Sequence, residues 1–296
     1  MRTFNPKEIP TAAFHSLMLG AIAPRPIAFA STVDKDGNVN LSPFSFFNCF
    51  GSNPPVLVFS PARRVRDNTG KHTLENVLEI GEVVINIGNY AIVEQMSLAS
   101  TEYDKGVNEF IKAGLTPVAS TLVKPPRVKE APAAFECRVL EVKPIGDQGG
   151  AANLVICEAL LLHVQDEVFG ADGTTIDPFK LDAVARLGGD WYLRATGDAL
   201  FELPKPVRNK GIGIDQLPQH IRNSNVLTGN NLARLGNTEV IPSEAEVQAF
   251  SQEPIYQYLL QKHQDNPTEK ERQTHLLAQR LLEEGRVADA WKALLA

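Results

Sequence analysis

Hydrophobic positions follow three successive regimes along the chain. The first apolar stretch, Ala12 to Ala23, is interrupted by His15 and followed by Pro24. With Thr11 available as a cap, it predicts a short buried helix. It is too short to span a bilayer, which takes roughly 20 apolar residues. Glu8 and Pro10 stand where a signal peptide would carry its basic region, so a cleaved leader is not expected either.

From Pro26 onward the spacing becomes strand-like. PIAFASTVD, the turn KDGN and VNLSPF predict a hairpin, because Asp-Gly and Gly-Asn supply the positive φ that a tight turn requires. PVLVFSPA, from Pro55, reads as a short buried strand, and TLENVLEIG, from Thr73, as a helix of about two turns ending on glycine. EVVINIG returns to strand. NYAIVEQMSLAS and NEFIKAGL predict two short helices, and two long strands follow in AAFECRVLEVKPIG and LVICEALLLHVQDEVFG. Strands interrupted by helices, not alternating with them, favour a barrel with helical decoration over a doubly wound sheet.

A third regime begins after FELPKPVRNKG, whose prolines and basic residues predict a boundary between a domain over 1–205 and a helical extension over 206–296. In the extension, Ser243 with Glu246 and Thr268 with Glu271 have capping-box spacing. The leucines that follow predict packing or subunit contact.

Composition narrows the functional classes. The chain is 43% hydrophobic and 22% charged with a net charge of −6, which argues against a general polyanion binder such as a nucleic-acid protein. Its three cysteines, Cys49, Cys137 and Cys157, show no metal-ligand or disulfide spacing and read as free thiols of a reducing cytoplasm; no metal site is expected. HExxH, GxSxG and P-loop patterns are absent, and KGIGID lacks the full dinucleotide fingerprint.

Two stretches could hold a ligand. In SPARRVRDNTGKHTLENV, Arg63, Arg64, Arg66 and Lys71 crowd a loop that enters a helix, with Thr73 placed to cap it. Cations beside a helix N-terminus make an anion site; a solvated basic loop is the bland alternative. The stretch NLSPFSFFNCFGSNPP has neither strand face purely apolar. Ser42, Ser45 and Asn48 could rim a planar ligand with polar edges, such as a flavin or pyridoxal ring, with Phe44, Phe46 and Phe47 as walls. The same mixture fits a bulged strand. His163, late on its strand, could donate to a ligand or serve an acid-base step, although a lone strand histidine is more often a structural residue.

Taken in order, PRPIAFASTVDKDGNVNLSPFSFFN, KHTLENV, EVVINI, GVNEFIKAGLTPVAS, PPRVKEAPAAFECRVLEV and ARLGGDWY resemble the flavin reductase-like family of split-barrel FMN-binding proteins, including the nitrilotriacetate monooxygenase component B group. The resemblance runs from about Ile22 to Tyr192. It implies a mainly β fold: a split β-barrel with helical decorations, followed here by the C-terminal helical extension. It further implies a homodimer binding FMN, with NADH or NADPH as electron donor and a possible monooxygenase partner. Residue by residue it assigns Thr32, Ser42, Phe44, Ser45, Phe46, Phe47 and Asn48 to the flavin ring and ribityl chain. Arg64, Lys71 and Thr73 fall to its phosphate, and His163 matches a histidine of the family. His72 and Cys157 depart from the family's usual aspartate and glycine. The implied activity is NAD(P)H-dependent flavin reduction. An FMN-binding electron carrier is the alternative, and pyridoxine-phosphate oxidation on the related barrel ranks third.

Overall fold

The computed structural model describes residues 1–203, 205–206 and 210–296. The chain divides into two compact units, Met1–Phe201 and Glu202–Ala296. Part of the boundary segment FELPKPVRNKG lies outside the described residues.

In the first unit, helix α1 (Thr11–Ala21) precedes strands β1 (Ala28–Val33), β2 (Val39–Phe44), β3 (Phe47–Ser52) and β4 (Pro55–Phe59). Helix α2 (His72–Ile80), strand β5 (Glu82–Ile87) and helices α3 (Val93–Leu98) and α4 (Glu109–Ala113) follow. Short strands β6 (Pro117–Val118) and β7 (Arg127–Val128) lead to the long hairpin of β8 (Ala133–Ile145) and β9 (Ala152–Val164). Helix α5 (Pro178–Leu181) and strands β10 (Val184–Arg186) and β11 (Tyr192–Arg194) close the unit.

Seven strands form one antiparallel sheet in the order β2-β1-β5-β8-β9-β4-β3. Its two edge strands, β2 and β3, are consecutive in sequence and separated only by Ser45 and Phe46. Laid flat, six inter-strand spacings would part them by about 29 Å. Three Cα–Cα steps reach at most about 11 Å. The sheet must therefore roll until its edges meet, although among the described residues no ladder joins β2 to β3.

Alternation along β1 explains the layers. Ala28 and Ala30 face a core with Phe44, Phe59, Leu74, Val77, Ile85 and Cys157, into which α2 is inserted. Ile27 and Phe29 face the opposite side, where Ile92, Met96 and Phe110 cover the sheet with α3 and α4. Helix α2 ends as the glycine predicts: Gly81 has φ 74° and its N–H closes on the Val77 carbonyl.

Three sequence expectations change. Helix α1 forms, but none of its residues is buried, and Pro10, not Thr11, is its N-cap. Apolar composition without a polar stripe gives a helix and leaves open what covers it. The mixed-face stretch is two strands, not one: the chain leaves one sheet edge at Phe44 and joins the other at Phe47, with a register shift between Cys49 and Gly51. Among the described residues all eleven strands lie in the first unit, so "mainly β" describes that unit and not the whole chain.

The second unit is helical: α6 (Gln219–Arg222), α7 (Gly229–Gly236), α8 (Glu244–Ser251), α9 (Pro254–Lys262), α10 (Pro267–Glu283) and α11 (Val287–Leu295). Its core gathers Ile221, Leu235, Phe250, Tyr256, Leu281, Leu282 and Trp291. Ser243 and Glu246 make the expected capping box. The second box does not form; Asn266 caps α10 by accepting from the Glu269 N–H, with Pro267 in the first turn. Among the described residues no helix is long and apolar enough to cross a membrane.

Candidate functional site

Asn40, Ser42 and Phe44 share one face of β2, because side chains repeat every second residue. Phe44 is buried against Phe59 with ring centroids 5.5 Å apart, so it serves the core beneath the site. Asn40 and Ser42 instead line a shallow cleft, together with Arg64, Lys71, His72, Thr73, Glu109 and the segment Ser100–Tyr103.

The cleft is cationic on one wall. Arg64 Nε donates to Glu102 Oε1 at 2.9 Å, and its Nη1 donates to Thr69 Oγ1 at 2.7 Å. Arg66 reaches Glu102 Oε2 at 2.9 Å, and Lys71 Nζ lies 3.9 Å from Glu102 Oε1. Burial, and then the nearby Arg64 charge, lower the Lys71 pKa. Hydrogen bonds from Arg66 and Arg64 hold the Glu102 carboxyl below its ordinary value.

Lys71 is also the N-cap of α2, and its side chain makes no capping hydrogen bond. Among the described residues, the His72 and Thr73 N–H groups find no carbonyl partner, as expected in a first helical turn. Thr73 is therefore not the cap expected from sequence. It is the second helical residue, buried, and its hydroxyl donates to Asn40 Oδ1 at 2.6 Å. With that proton committed, its backbone N–H is the donor left for an anion.

The floor of the cleft is polar and was not legible in the sequence. Asn40 Nδ2 donates to Glu109 Oε1 at 2.8 Å, and the Leu41 N–H donates to Glu109 Oε2 at 2.9 Å. Burial raises the Glu109 pKa despite these bonds. Among the described residues His72 Nδ1 is buried without a hydrogen-bond partner, 3.8 Å from Glu75 Oε2.

Other expected residues lie around this cleft or away from it. Thr32 is buried one layer behind, opposite Asn40 in the β1–β2 ladder, and accepts from Asn76 Nδ2 at 3.0 Å. Ser45 and Phe46 form the crossing between sheet edges. Ser45 Oγ accepts a long 3.5 Å bond from Arg25 Nε, and Phe46 meets His15 edge-on at 6.1 Å. Arg25, itself buried, also donates to the Leu19 and Leu187 carbonyls, tying α1 and the β10–β11 turn to this crossing. Phe47 packs on the core and Asn48 is exposed, its amide oxygen accepting from the Cys49 N–H.

His163 does not line the cleft. Its Nε2 lies 2.7 Å from Glu136 Oε1, and the fully buried Glu136 carboxylate also accepts from the Thr121 and Leu122 N–H groups at 2.7 and 2.6 Å. Burial disfavours ionisation of Glu136, but these three hydrogen bonds outweigh it and lower its pKa. A histidine held this way anchors the Thr121–Leu122 turn onto β8 and β9.

Residues 19–176 match the flavin reductase like domain. The chain belongs to the flavin reductase like family. A protein of Aquifex aeolicus is 41% identical over 192 residues, covering 65% of this chain and 95% of that one. Among solved structures, nitrilotriacetate monooxygenase component B from Bacillus cereus aligns with a TM-score of 0.64 at 31% identity, over 69% of this chain and 98% of that one. The split-barrel protein of Shewanella frigidimarina aligns with a TM-score of 0.58 at 29% identity, over 69% and 100%. The rolled sheet of this family member is thus a split barrel in kind, and its function is that of a flavin-related oxidoreductase. The helical unit from Glu202 lies beyond the matched residues.

Proposed function

We infer that the chain binds FMN and is an NAD(P)H-dependent flavin reductase, its cationic cleft receiving the phosphate and the Ser45–Phe47 crossing receiving the ring. The observation that supports this reading most is the pairing of an uncapped α2 N-terminus with Arg64, Lys71 and Arg66 around one carboxylate. A helix start offers aligned N–H groups, and crowded cations gain from a dianion. The residues present therefore fit a phosphate.

Ser42, which lines the cleft, is four residues from Phe46, at most about 14 Å along an extended chain. One mononucleotide can reach both. When bound, the flavin supplies the redox chemistry, taking a hydride from nicotinamide. The chain's own residues bind and orient it: Arg64 and Lys71 hold the charged end, Ser42 and Ser45 offer hydroxyls, and Phe46 and Phe47 offer apolar surface. Thr32 acts through Asn76, and Phe44 through the core. Hydride transfer requires no protein acid or base, which agrees with His163 being tied to Glu136.

The similarity to a monooxygenase component B extends the reading to a reductase that delivers electrons to a separate oxygenase. A homodimer is part of the same reading, supported by α1, which buries none of its residues within one chain, and by the exposed Phe50. Free Cys49, Cys137 and Cys157 suit the cytoplasm.

Anaerobic mixing of the FMN-loaded protein with NADH and with NADPH tests the activity. Bleaching of the flavin absorbance by either donor is the expected result. No bleaching with either, in protein that binds FMN, would replace the reductase by an electron carrier.

A further inference from the structure

The helical unit contains a groove that the flavin chemistry leaves unused. It lies between α9 and α10, has a volume of about 240 Å³, and takes Ile255, Tyr258, Leu259, Lys262 and His263 from one helix side and Gln273, Leu276, Leu277 and Arg280 from the other. Both sets follow the i, i+3, i+4, i+7 spacing that marks one face of a helix. Leu277 is buried and Leu259 half-buried, so they form a floor on the core. Ile255 and Tyr258 remain 47% and 64% exposed and form an apolar wall, with the Lys262 ammonium 5.7 Å from the centre of the Tyr258 ring.

Charge is arranged at the two ends of this apolar centre. Residues 263–266 connect α9 to α10. Lys262 and His263 stand at the connection between the helices, and Arg280 lies thirteen residues along α10 from Pro267, about 20 Å of helix rise. No carboxylate lines the groove, and among the described residues none lies within salt-bridge distance of Lys262, His263 or Arg280. The nearby Glu269 is occupied by Arg272 and Gln273. Beyond Tyr258 the surface continues into a second concavity lined by Gln257, Leu260, Gln261, Gln264 and Lys270, again without an acid.

We propose that this groove docks an amphipathic helix of a partner protein, with carboxylates at both ends of its apolar stripe. Two adjacent helix faces with an apolar floor are what a third helix packs against. A single-headed amphiphile such as a fatty acid would satisfy the cations at one end only. The groove lies outside the residues matched to the flavin family, so its occupant is independent of which nicotinamide or flavin the first unit uses.

The test uses the full chain and a labelled amphipathic peptide of about three turns, with leucines on one face and glutamates at both ends. Fluorescence anisotropy should show saturable binding, about tenfold weaker when the glutamates are replaced by lysines. Lys262→Glu with Arg280→Glu should invert that preference. Because both sites are exposed, circular dichroism should be unchanged; Tyr258→Ala and Ile255→Ala offer a charge-neutral check and should each weaken binding. Equal affinity for the two peptides, or no binding of the glutamate peptide, overturns the proposal. So does displacement by dodecanoate with no response to charge reversal. Self-association abolished by the same variants would identify a second copy as occupant and also overturn it.

Discussion

Asn40 Nδ2 donates to Glu109 Oε1 at 2.8 Å, joining β2 to α4 across 69 residues of sequence. The same amide accepts from Thr73 on α2, so three elements of the cleft are fixed through one side chain. Asn40→Ala removes both bonds and leaves the buried Glu109 carboxyl short of a donor. The expected loss is roughly 1 to 3 kcal/mol in denaturant unfolding, with weaker FMN binding as the α2 N-terminus loosens. Unchanged stability would show that Asn40 does not organise the cleft.

Glu109 gives this network a pH dependence with a definite sign. Burial raises its folded pKa above the ordinary 4.5, so between these values the folded state holds the proton more tightly than the unfolded state. Its contribution is fully present below pH 4.5 and is lost as pH rises through the folded pKa. Glu109→Gln should flatten the fall of thermal midpoint with rising pH over that window. An equally steep fall in the variant would assign the dependence to another group.

His163 separates anchoring from catalysis. His163→Ala takes one of three hydrogen bonds from buried Glu136 and should cost about 1 to 2 kcal/mol of stability while leaving FMN affinity and flavin reduction unchanged. Because the folded Glu136 pKa is lowered, its contribution holds above about 4.5 and disappears as pH falls through the folded value, so wild type and variant should converge in acid. Loss of reduction with stability intact would restore a catalytic role.

His275 sets an acid limit on the helical unit. Ser224 Oγ accepts from the Val226 and Leu227 N–H groups at 3.1 and 3.0 Å and lies 2.8 Å from His275 Nδ1, an arrangement that suits a neutral ring. Burial lowers the His275 pKa, outweighing the attraction of Glu271, with the stacked His220 ring adding to the lowering. The unfolded chain therefore takes the proton first, and stability falls as pH drops through 6.5 toward the folded value, with no change above it. Trp291 fluorescence in a Trp191→Phe background reads this unit, since Trp291 is buried in its core and Trp191 is exposed in the other. A transition midpoint that ignores pH below 6.5 would contradict the assignment.

Features legible in the sequence were those fixed by local chemistry. The Lys35–Asn38 turn has Gly37 at φ 85°, Gly81 ends α2, and two 13-residue strands appear where long apolar alternation lay. The crowding of Arg64 and Lys71 near a helix start was likewise local. What escaped was tertiary. Asn40 and Glu109 have nothing in common until α4, whose Asn108 cap accepts from the Phe110 N–H, folds over β2. Phe44, Phe46 and Phe47 could not be sorted while the stretch was read as one strand, because the crossing at Ser45 and Phe46 resets which face each side chain takes. Thr268 lost the cap of α10 to Asn266, which stands one residue before Pro267 and so begins the helix earlier.

Titration of the protein with FMN and with riboflavin, in wild type and in Lys71→Ala and Arg64→Ala, tests the phosphate cleft most directly. A charge-assisted contact contributes roughly 1.5 to 3 kcal/mol, so each substitution should weaken FMN by about tenfold or more and leave riboflavin nearly unchanged. Equal losses for both flavins, or no preference for FMN in the wild type, would contradict the account.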